Sequence, residues 1–389
     1  MKLIVDKDIP FAGSAFGALG DVQLVETAAL KRSDVRDADA LVVRSTSRVD
    51  AQLLDGSGVT FVGTATIGTD HVDTGYLASR RIAFASAPGS NANSVKEYVV
   101  CALLELVAGR GGNLKGTSIG IVGVGHVGSK VRNAAEALGM RVLQNDPPLA
   151  RQTGDRRFVS LDELMDADVI TLHVPLTKSG PDATQHLFDE KRFSRMKRGS
   201  IFINTSRGSV VRSDALRNAL VNKQLGGSVV DVWENEPDID VELLGKVDIG
   251  TAHIAGYSME GKTNAVRMIR EALCRHFGID TEWHPVADVT ERELDIPSGM
   301  PTSESVLRYI VSKSYDIAMD DRMLRGIADR PAQLRGEYFT KLRAGYRERR
   351  EFANTSVRLP ERYAQLARAI AALGFRNQQA MSNREKIVQ

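Results

Sequence analysis

Ser118-Ile-Gly-Ile-Val-Gly-Val-Gly-His-Val-Gly128 decides the fold. An apolar run, Ser118 to Val122, leads into Gly123-x-Gly125-x-x-Gly128 and then into a helical pattern, Ser129 to Leu138. A second apolar run, Met140 to Asn145, follows and stops at Asp146. Each piece has a use in a strand–helix–strand unit that holds a dinucleotide. The first glycine permits a tight turn, the second lets the backbone approach a pyrophosphate, and the third lets helix and strand pack closely. The unpaired N–H groups at the helix start and its positive dipole end then face the phosphates. Asp146 lies eighteen residues past Gly128, where an acid accepts from the ribose hydroxyls. Asp146 would also repel a 2′-phosphate, and Pro147-Pro148 supplies no cation, which favours NAD over NADP. Arg151 is the nearby charge that argues the other way.

Upstream, short apolar runs at Lys2–Val5, Val22–Val25, Ala40–Val43, Val59–Val62 and Ile82–Ala85 alternate with helical or polar stretches. This is the pattern of a parallel sheet with crossovers, over roughly residues 1–90. Ligands of such sheets sit beyond the carboxyl ends of the strands. Arg44-Ser-Thr46 and Gly63-Thr-Ala-Thr-Ile-Gly-Thr-Asp70 follow two of these runs, so Ser45 and Thr66 are candidate substrate contacts. Pro88-Gly-Ser-Asn-Ala-Asn-Ser94 opens a linking helix, Val95 to Ala108, which Gly109-Arg-Gly-Gly112 should end.

Downstream of Asp146, a short helical stretch, Leu161 to Met165, precedes a strand, Asp168 to His173, with Val174-Pro-Leu176 at its end. Ser200–Asn204, Ser228–Asp231 and Asp248–Gly250 read as further strands, and Asp214–Val221 as a helix. Residues 91–256 are thus expected to form a nucleotide-binding domain. The helical pattern Tyr257–Phe277 is expected to return to the first unit, giving a substrate-binding domain of residues 1–90 and 257–281 with a hinge at the two crossings. Residues 282–389 stand apart. They carry a candidate helix face (Val306, Ile310, Ile317), a basic cluster (Lys341, Arg343, Arg347, Arg349, Arg350), an amphipathic helix (Pro360–Leu373) and a polar tail from Asn377, expected to be mobile. The expected fold class is α/β, with two doubly wound, Rossmann/flavodoxin-like domains joined at a hinge, plus a C-terminal α+β domain.

A chain of 389 residues with 42% hydrophobic and 26% charged content is that of an ordinary globular protein. A net charge of +2, with basic residues confined to one short cluster lacking aromatic platforms, argues against a nucleic-acid partner. No run approaches the ~20 apolar residues of a membrane span, and Met1-Lys-Leu-Ile-Val-Asp meets an acid too soon for a secretion signal. Cys101 and Cys274 lie in apolar helical patterns without metal-ligand spacing. Buried thiols, no metal site and a reducing, cytoplasmic setting are the expectation.

Three residues at strand ends carry the chemistry: Arg207 in Asn-Thr-Ser-Arg-Gly-Ser, Glu236 in Asp231-Val-Trp-Glu-Asn-Glu-Pro237, and His253 in Thr251-Ala-His-Ile-Ala-Gly-Tyr257. Removing hydride from a secondary alcohol requires a base for the hydroxyl proton, and imidazole suits neutral pH. A carboxylate orients the ring and stabilises imidazolium. A guanidinium holds a substrate carboxylate bidentately and polarises the developing carbonyl.

With these residues in place, the chain resembles the D-isomer-specific 2-hydroxyacid dehydrogenases from Lys2 to about Phe277. The resemblance rests on Gly123-Val-Gly-His-Val-Gly128, Leu172-His-Val-Pro-Leu176, Ile203-Asn-Thr-Ser-Arg-Gly208, Asp231–Pro237 and Thr251-Ala-His-Ile-Ala-Gly256. It implies Arg207, Glu236 and His253 as catalytic residues and NAD as cofactor. It implies cofactor contacts at His126, Val127, Asp146, Val174, Thr205, Ser206, Arg207, Asp231 and Gly256, and substrate contacts at Ser45, Thr66 and Tyr257. Val174 stands where relatives commonly have threonine, so a contact there would run through backbone. The C-terminal extension resembles a dimerisation domain, which implies a homodimer acting on a small phosphorylated 2-hydroxy acid. Arg44, or an arginine of the 341–350 cluster, is then the candidate cation for the phosphate. Two alternatives stay open: another member of the family, such as one acting on 3-phosphoglycerate, and an NAD-sensing, corepressor-like binding protein.

Overall fold

The computed structural model describes residues 1–108, 112–285 and 291–377. The expected helix end at 109–112, apart from Gly112, and the expected mobile tail beyond Asn377 lie outside the described residues. The chain divides into two compact units: residues 1–92 with 258–289, and residues 93–257 with 290–389.

The first unit is built on five parallel strands, β1 (Lys2–Asp6), β2 (Asp21–Val25), β3 (Ala40–Val43), β4 (Phe61–Thr64) and β5 (Ala83–Ala85), in the order β2-β1-β3-β4-β5. That is the flavodoxin-like order. β3 and β4 are buried throughout, as strands covered on both faces must be. The helix Met259–Phe277 covers one face through Val266, Ile269 and Leu273. Its close approach explains Gly63: a Cβ there would lie 2.5 Å from the Ile269 side chain.

The second unit carries six parallel strands, β6 (Ser118–Val122), β7 (Arg141–Asn145), β8 (Val169–Leu172), β9 (Ser200–Asn204), β10 (Leu225–Val230) and β11 (Ile249–Gly250). Their order is β7-β6-β8-β9-β10-β11. Phe158 adds a single parallel bridge to Gln144 at the outer edge. Counting that bridge as a third strand shrunk to one residue gives 3-2-1-4-5-6-7, the dinucleotide-binding order 3-2-1-4-5-6 with one further strand, β11, at the far edge. The order reverses between β6 and β8, so the crevice opens at Gly123 and Val174, just past their carboxyl ends.

The C-terminal segment adds three parallel strands, β12 (Arg292–Asp295), β13 (Thr355–Arg358) and β14 (Arg376–Asn377), paired in that order. The expected α+β class holds for this segment, but the sequence located none of its strands, because each is short and mostly polar in residue type. The single helix face read at Val306, Ile310 and Ile317 is two helices, Ser303–Ser314 and Ile317–Arg325. Pro360–Leu373 is a 3-10 turn, Glu361–Leu366, followed by a short α-helix, Ala367–Leu373. Val306, Ile310, Val357, Ile370 and Phe375 share one core with Val99, Leu103, Ile119 and Val131, so this segment is packed onto the nucleotide-binding sheet. Among the described residues no helix is long and apolar enough to cross a membrane. Cys101 and Cys274 are free and buried.

Candidate active site

The glycine loop has the shape its composition demands. Gly123 has φ 84°, and a Cβ there would lie 2.6 Å from the His173 carbonyl oxygen and 2.8 Å from Val174. A Cβ on Gly128 would overlap the Gly123 carbonyl. Around Gly125, by contrast, a Cβ would meet nothing within 4 Å. The middle glycine therefore leaves open room directly at the start of the helix His126–Ala137, where a pyrophosphate needs it. His126 and Val127 form the first turn of that helix.

Asp146 braces this loop. One carboxylate oxygen accepts from the Val124 N–H at 2.8 Å and the other from the Leu149 N–H at 3.0 Å, capping the helix Pro147–Thr153. A carboxylate has about four lone-pair positions, so capacity remains for ribose hydroxyls. Arg151, the residue that left NADP open, is paired with Asp182. The site fits an NAD molecule without a 2′-phosphate.

Beyond β8, the His173 ring bridges two threonines, with Nε2 3.0 Å from Thr171 Oγ1 and Nδ1 3.2 Å from Thr205 Oγ1. Burial lowers the His173 pKa to about 3, so the ring is neutral and fixes the Thr205 hydroxyl. The unfolded chain binds this proton below pH ~6.5 and the folded one does not until about pH 3. Stability from this group is full above pH ~6.5 and is lost as pH falls towards 3. Acidification to pH 5 should cost about 1–2 kcal/mol through His173. Denaturant unfolding from pH 7 to 4 should have a shallower pH slope in His173→Gln; an unchanged slope would show the ring to be freely protonated.

The turn after β9 is held by Asn204, whose Oδ1 accepts from the Ser206 N–H (3.0 Å) and hydroxyl (2.9 Å), while its Nδ2 donates to the Arg207 carbonyl (3.1 Å). Arg207 is half-buried, and its Nη1 donates to the Ser206 carbonyl at 2.8 Å. Gly208 follows because no side chain fits: a Cβ there would overlap the Trp233 carbonyl group. This backbone contact sets the Arg207 turn against the Trp233–Glu236 loop.

Glu236 accepts from the Trp233 N–H (2.8 Å) through Oε1 and lies 2.7 Å from His253 Nδ1 through Oε2. Burial opposes its charge, but the His253 hydrogen bond and charge, the Trp233 N–H and the Arg343 guanidinium outweigh it, and its pKa is lowered. An ionised Glu236 can only accept. His253 Nδ1 must then carry the proton, which leaves Nε2 with a free lone pair.

His253 has φ 57°, a left-handed backbone that costs an ordinary residue about 1–2 kcal/mol. Asp231 supports it. The Asp231 carbonyl accepts the His253 N–H (2.7 Å), and its buried carboxylate accepts from the Ile254 N–H (2.8 Å), the Ala255 N–H (3.0 Å) and Thr251 Oγ1 (2.6 Å). Tyr98, from the linking helix Ala92–Ala108, extends the chain by donating to Thr251 Oγ1 at 2.7 Å. Asp231, which the family resemblance gives as a cofactor contact, also holds the His253 loop, and Gly256 lies half-buried just beyond it. Tyr98, Thr251, Asn204 and His173 escaped the sequence reading because polar residues in apolar runs look like ordinary core until their partners are known.

Tyr257 packs edge-on against Tyr346 at 5.8 Å, and Arg343 Nη2 donates to its hydroxyl at 3.4 Å. In the first unit, Ser45 and Thr66 each lie two residues past the paired ends of β3 and β4. Ser45 is exposed, while Thr66 Oγ1 donates to the Gly68 carbonyl at 2.9 Å. Arg44 pairs with Asp6 (3.0 Å) and Asp8 (2.5 Å), so two carboxylates already meet its charge.

Comparison with known proteins agrees with this construction. Residues 104–255 match the NAD-binding domain of the D-isomer specific 2-hydroxyacid dehydrogenases, and residues 290–374 match a domain of unknown function, DUF3410. The chain is 45% identical over 368 residues to the erythronate-4-phosphate dehydrogenase of Salinibacter ruber, covering 92% of this chain and 94% of that one. It is 44% identical over 382 residues to the enzyme of the same name from Klebsiella pneumoniae, covering 96% and 98%. Among solved structures, the D-lactate dehydrogenase of Aquifex aeolicus complexed with NAD and lactic acid is 26% identical with a TM-score of 0.61, covering 72% of this chain and 96% of that one. A Thermus thermophilus protein, TT0316, is 29% identical with a TM-score of 0.61, covering 72% and 98%. With relatives this similar along nearly its whole length, and with the glycine loop and the Glu236–His253 pair in place, the chain belongs to the D-isomer-specific 2-hydroxyacid dehydrogenase family.

Proposed function

We propose that this protein is an NAD-dependent dehydrogenase that oxidises 4-phospho-D-erythronate to (R)-3-hydroxy-2-oxo-4-phosphooxybutanoate, a step of pyridoxal 5′-phosphate biosynthesis. The observation that carries the chemistry is the 2.7 Å Glu236–His253 contact, which leaves Nε2 as the base. The substrate reading rests on the full-length likeness to erythronate-4-phosphate dehydrogenases.

His253 Nε2 takes the proton of the substrate 2-hydroxyl, and Glu236 stabilises the imidazolium that results. Arg207 holds the substrate carboxylate and polarises the forming carbonyl. Bound at the loop Gly123–Gly128 with its ribose at Asp146, NAD supplies the hydride acceptor. The N–H groups at His126 and Val127 would hold its phosphates, and Val174, Thr205, Ser206, Asp231 and Gly256 would border it towards the reacting end.

Ser45, Thr66 and Tyr257 serve the substrate in this reading, with residues 1–90 and 257–281 as the substrate-binding domain, hinged on residues 91–256. Support comes from the chain passing between the two compact units at residues 92–93 and 257–258, with a third passage at 289–290. The C-terminal segment is the homodimer contact; the exposed Met319, Met323 and Leu334 side chains support this. The buried free thiols fit a cytoplasmic protein.

NADH formation measured with 4-phosphoerythronate and with 3-phosphoglycerate tests the assignment. The first substrate should give a kcat/KM at least about a hundredfold higher, since a pocket that pairs the phosphate at one reach leaves it unpaired at another. Equal rates, or preference for 3-phosphoglycerate, would move the protein elsewhere in the family, and cofactor binding without turnover would make it a sensor.

A further inference from the structure

The basic cluster at 341–350 has a role that the dehydrogenase chemistry leaves unfilled. Most of its charges are already matched. Lys341 pairs with Glu337 at 2.5 Å, Arg347 with Asp320 at 3.0 Å, and Arg350 with Glu348 at 3.7 Å. Arg349 is 3% exposed and lies over the Tyr315 ring; its Nη2 donates to the Ser94 and Ala255 carbonyls and its Nε and Nη1 meet no acceptor, but the whole side chain is enclosed in the core.

Arg343 differs. It lies in the last turn of the helix Arg335–Ala344 and pairs with no acid among the described residues. Its Nε is buried and meets no acceptor. Its Nη2 makes only a long contact to the Tyr257 hydroxyl, at 3.4 Å. Tyr257 lies four residues past His253, and the Arg343 charge is felt at Glu236. A half-buried guanidinium with idle donors, beside the catalytic pair, is poorly satisfied by the protein alone.

We propose that Arg343 binds the phosphate of the substrate and makes the site selective for phosphorylated 2-hydroxy acids. A phosphate dianion supplies the acceptors that Arg343 lacks, and the planar guanidinium fits two of its oxygens. Arg207 is committed to the carboxylate at the other end of the substrate. Arg44, the alternative cation, is held by Asp6 and Asp8. The assignment also gives the C-terminal segment a part in specificity, through a residue that a dehydrogenase lacking that segment could not supply. It rests on the dehydrogenase reading above.

The test compares the full-length protein with Arg343→Ala and Arg343→Lys on two substrates, 4-phosphoerythronate and unphosphorylated D-erythronate. Arg343→Ala should lower kcat/KM for the phosphorylated substrate about a hundredfold, mostly through KM, and leave the value for erythronate within about twofold. Arg343→Lys should recover part of the loss, because it keeps the charge without the fork. Lys341→Ala, on the same helix but exposed and paired with Glu337, should change neither value. An equal fall on both substrates would overturn the proposal and make Arg343 a positioning residue acting through Glu236. No fall on either would also overturn it. NADH binding and the unfolding midpoint, measured on each variant, separate these outcomes from misfolding. If the unaltered protein fails to oxidise 4-phosphoerythronate, the functional reading falls by itself, and 3-phosphoglycerate against glycerate then carries the Arg343 comparison.

Discussion

Replacing His253 with Ala is expected to lower kcat by about a thousandfold or more while leaving NAD affinity unchanged, as removal of a general base does. The ring sits on a loop that Asp231 holds from below through four hydrogen bonds, three to its carboxylate and one to its carbonyl. None of those bonds uses the imidazole, so truncating it should leave the loop and the glycine-loop site intact. Glu236→Gln is the sharper companion. The Gln side chain can present N–H to Nδ1, which would place the ring proton on Nε2 and remove the base without removing the ring. Its kcat should approach that of His253→Ala. NADH release measured by absorbance, with NAD binding by calorimetry, checks both. Near-normal turnover in either variant would remove the Glu236–His253 pair from the mechanism.

The second large effect is expected at a glycine. In Gly208→Ala, the new methyl would coincide with the Trp233 carbonyl group and crowd the Glu234 N–H. Both are backbone atoms, so no side chain can turn aside. The Arg207 turn and the Trp233–Glu236 loop must separate, at a cost of about 3 kcal/mol or more. Separation also moves Arg207 relative to the Glu236–His253 pair. A displacement of about 1 Å costs on the order of a hundredfold in rate. The thermal midpoint and kcat should therefore fall together. If Gly208→Ala kept both, the backbone contact would not be what aligns the three residues. Gly125→Ala offers a contrast in the same protein: it has space for the methyl, so it should fold normally and lose NAD affinity instead.

Much of this site can be read along the chain because its parts are local. Gly123, Gly125, Gly128 and Asp146 sit in one strand–helix–strand unit, where spacing alone dictates who meets the cofactor. Arg207, Glu236 and His253 each follow an apolar run that becomes a buried parallel strand, and strands of one parallel sheet deliver their carboxyl ends to one edge. A continuous run such as Ser118–Val122 is legible for the same reason: burial on both faces leaves no polar alternation to confuse it. The short polar strands β12 to β14 have no such signature, and pairing between residues as far apart as Leu294 and Val357 leaves no mark in either stretch.

What the sequence determined by itself was therefore the fold class, the dinucleotide loop and the type of chemistry, since all three depend on residue type and near spacing. Only the tertiary structure decided which polar groups are free to act. It showed the Asp231 carboxylate bracing the His253 loop and Arg44 paired with Asp6 and Asp8. It also singled out Arg343 from a cluster of otherwise similar charges. A charge's availability depends on what is folded against it, and that is a property of three-dimensional pairing which neighbours in sequence do not record.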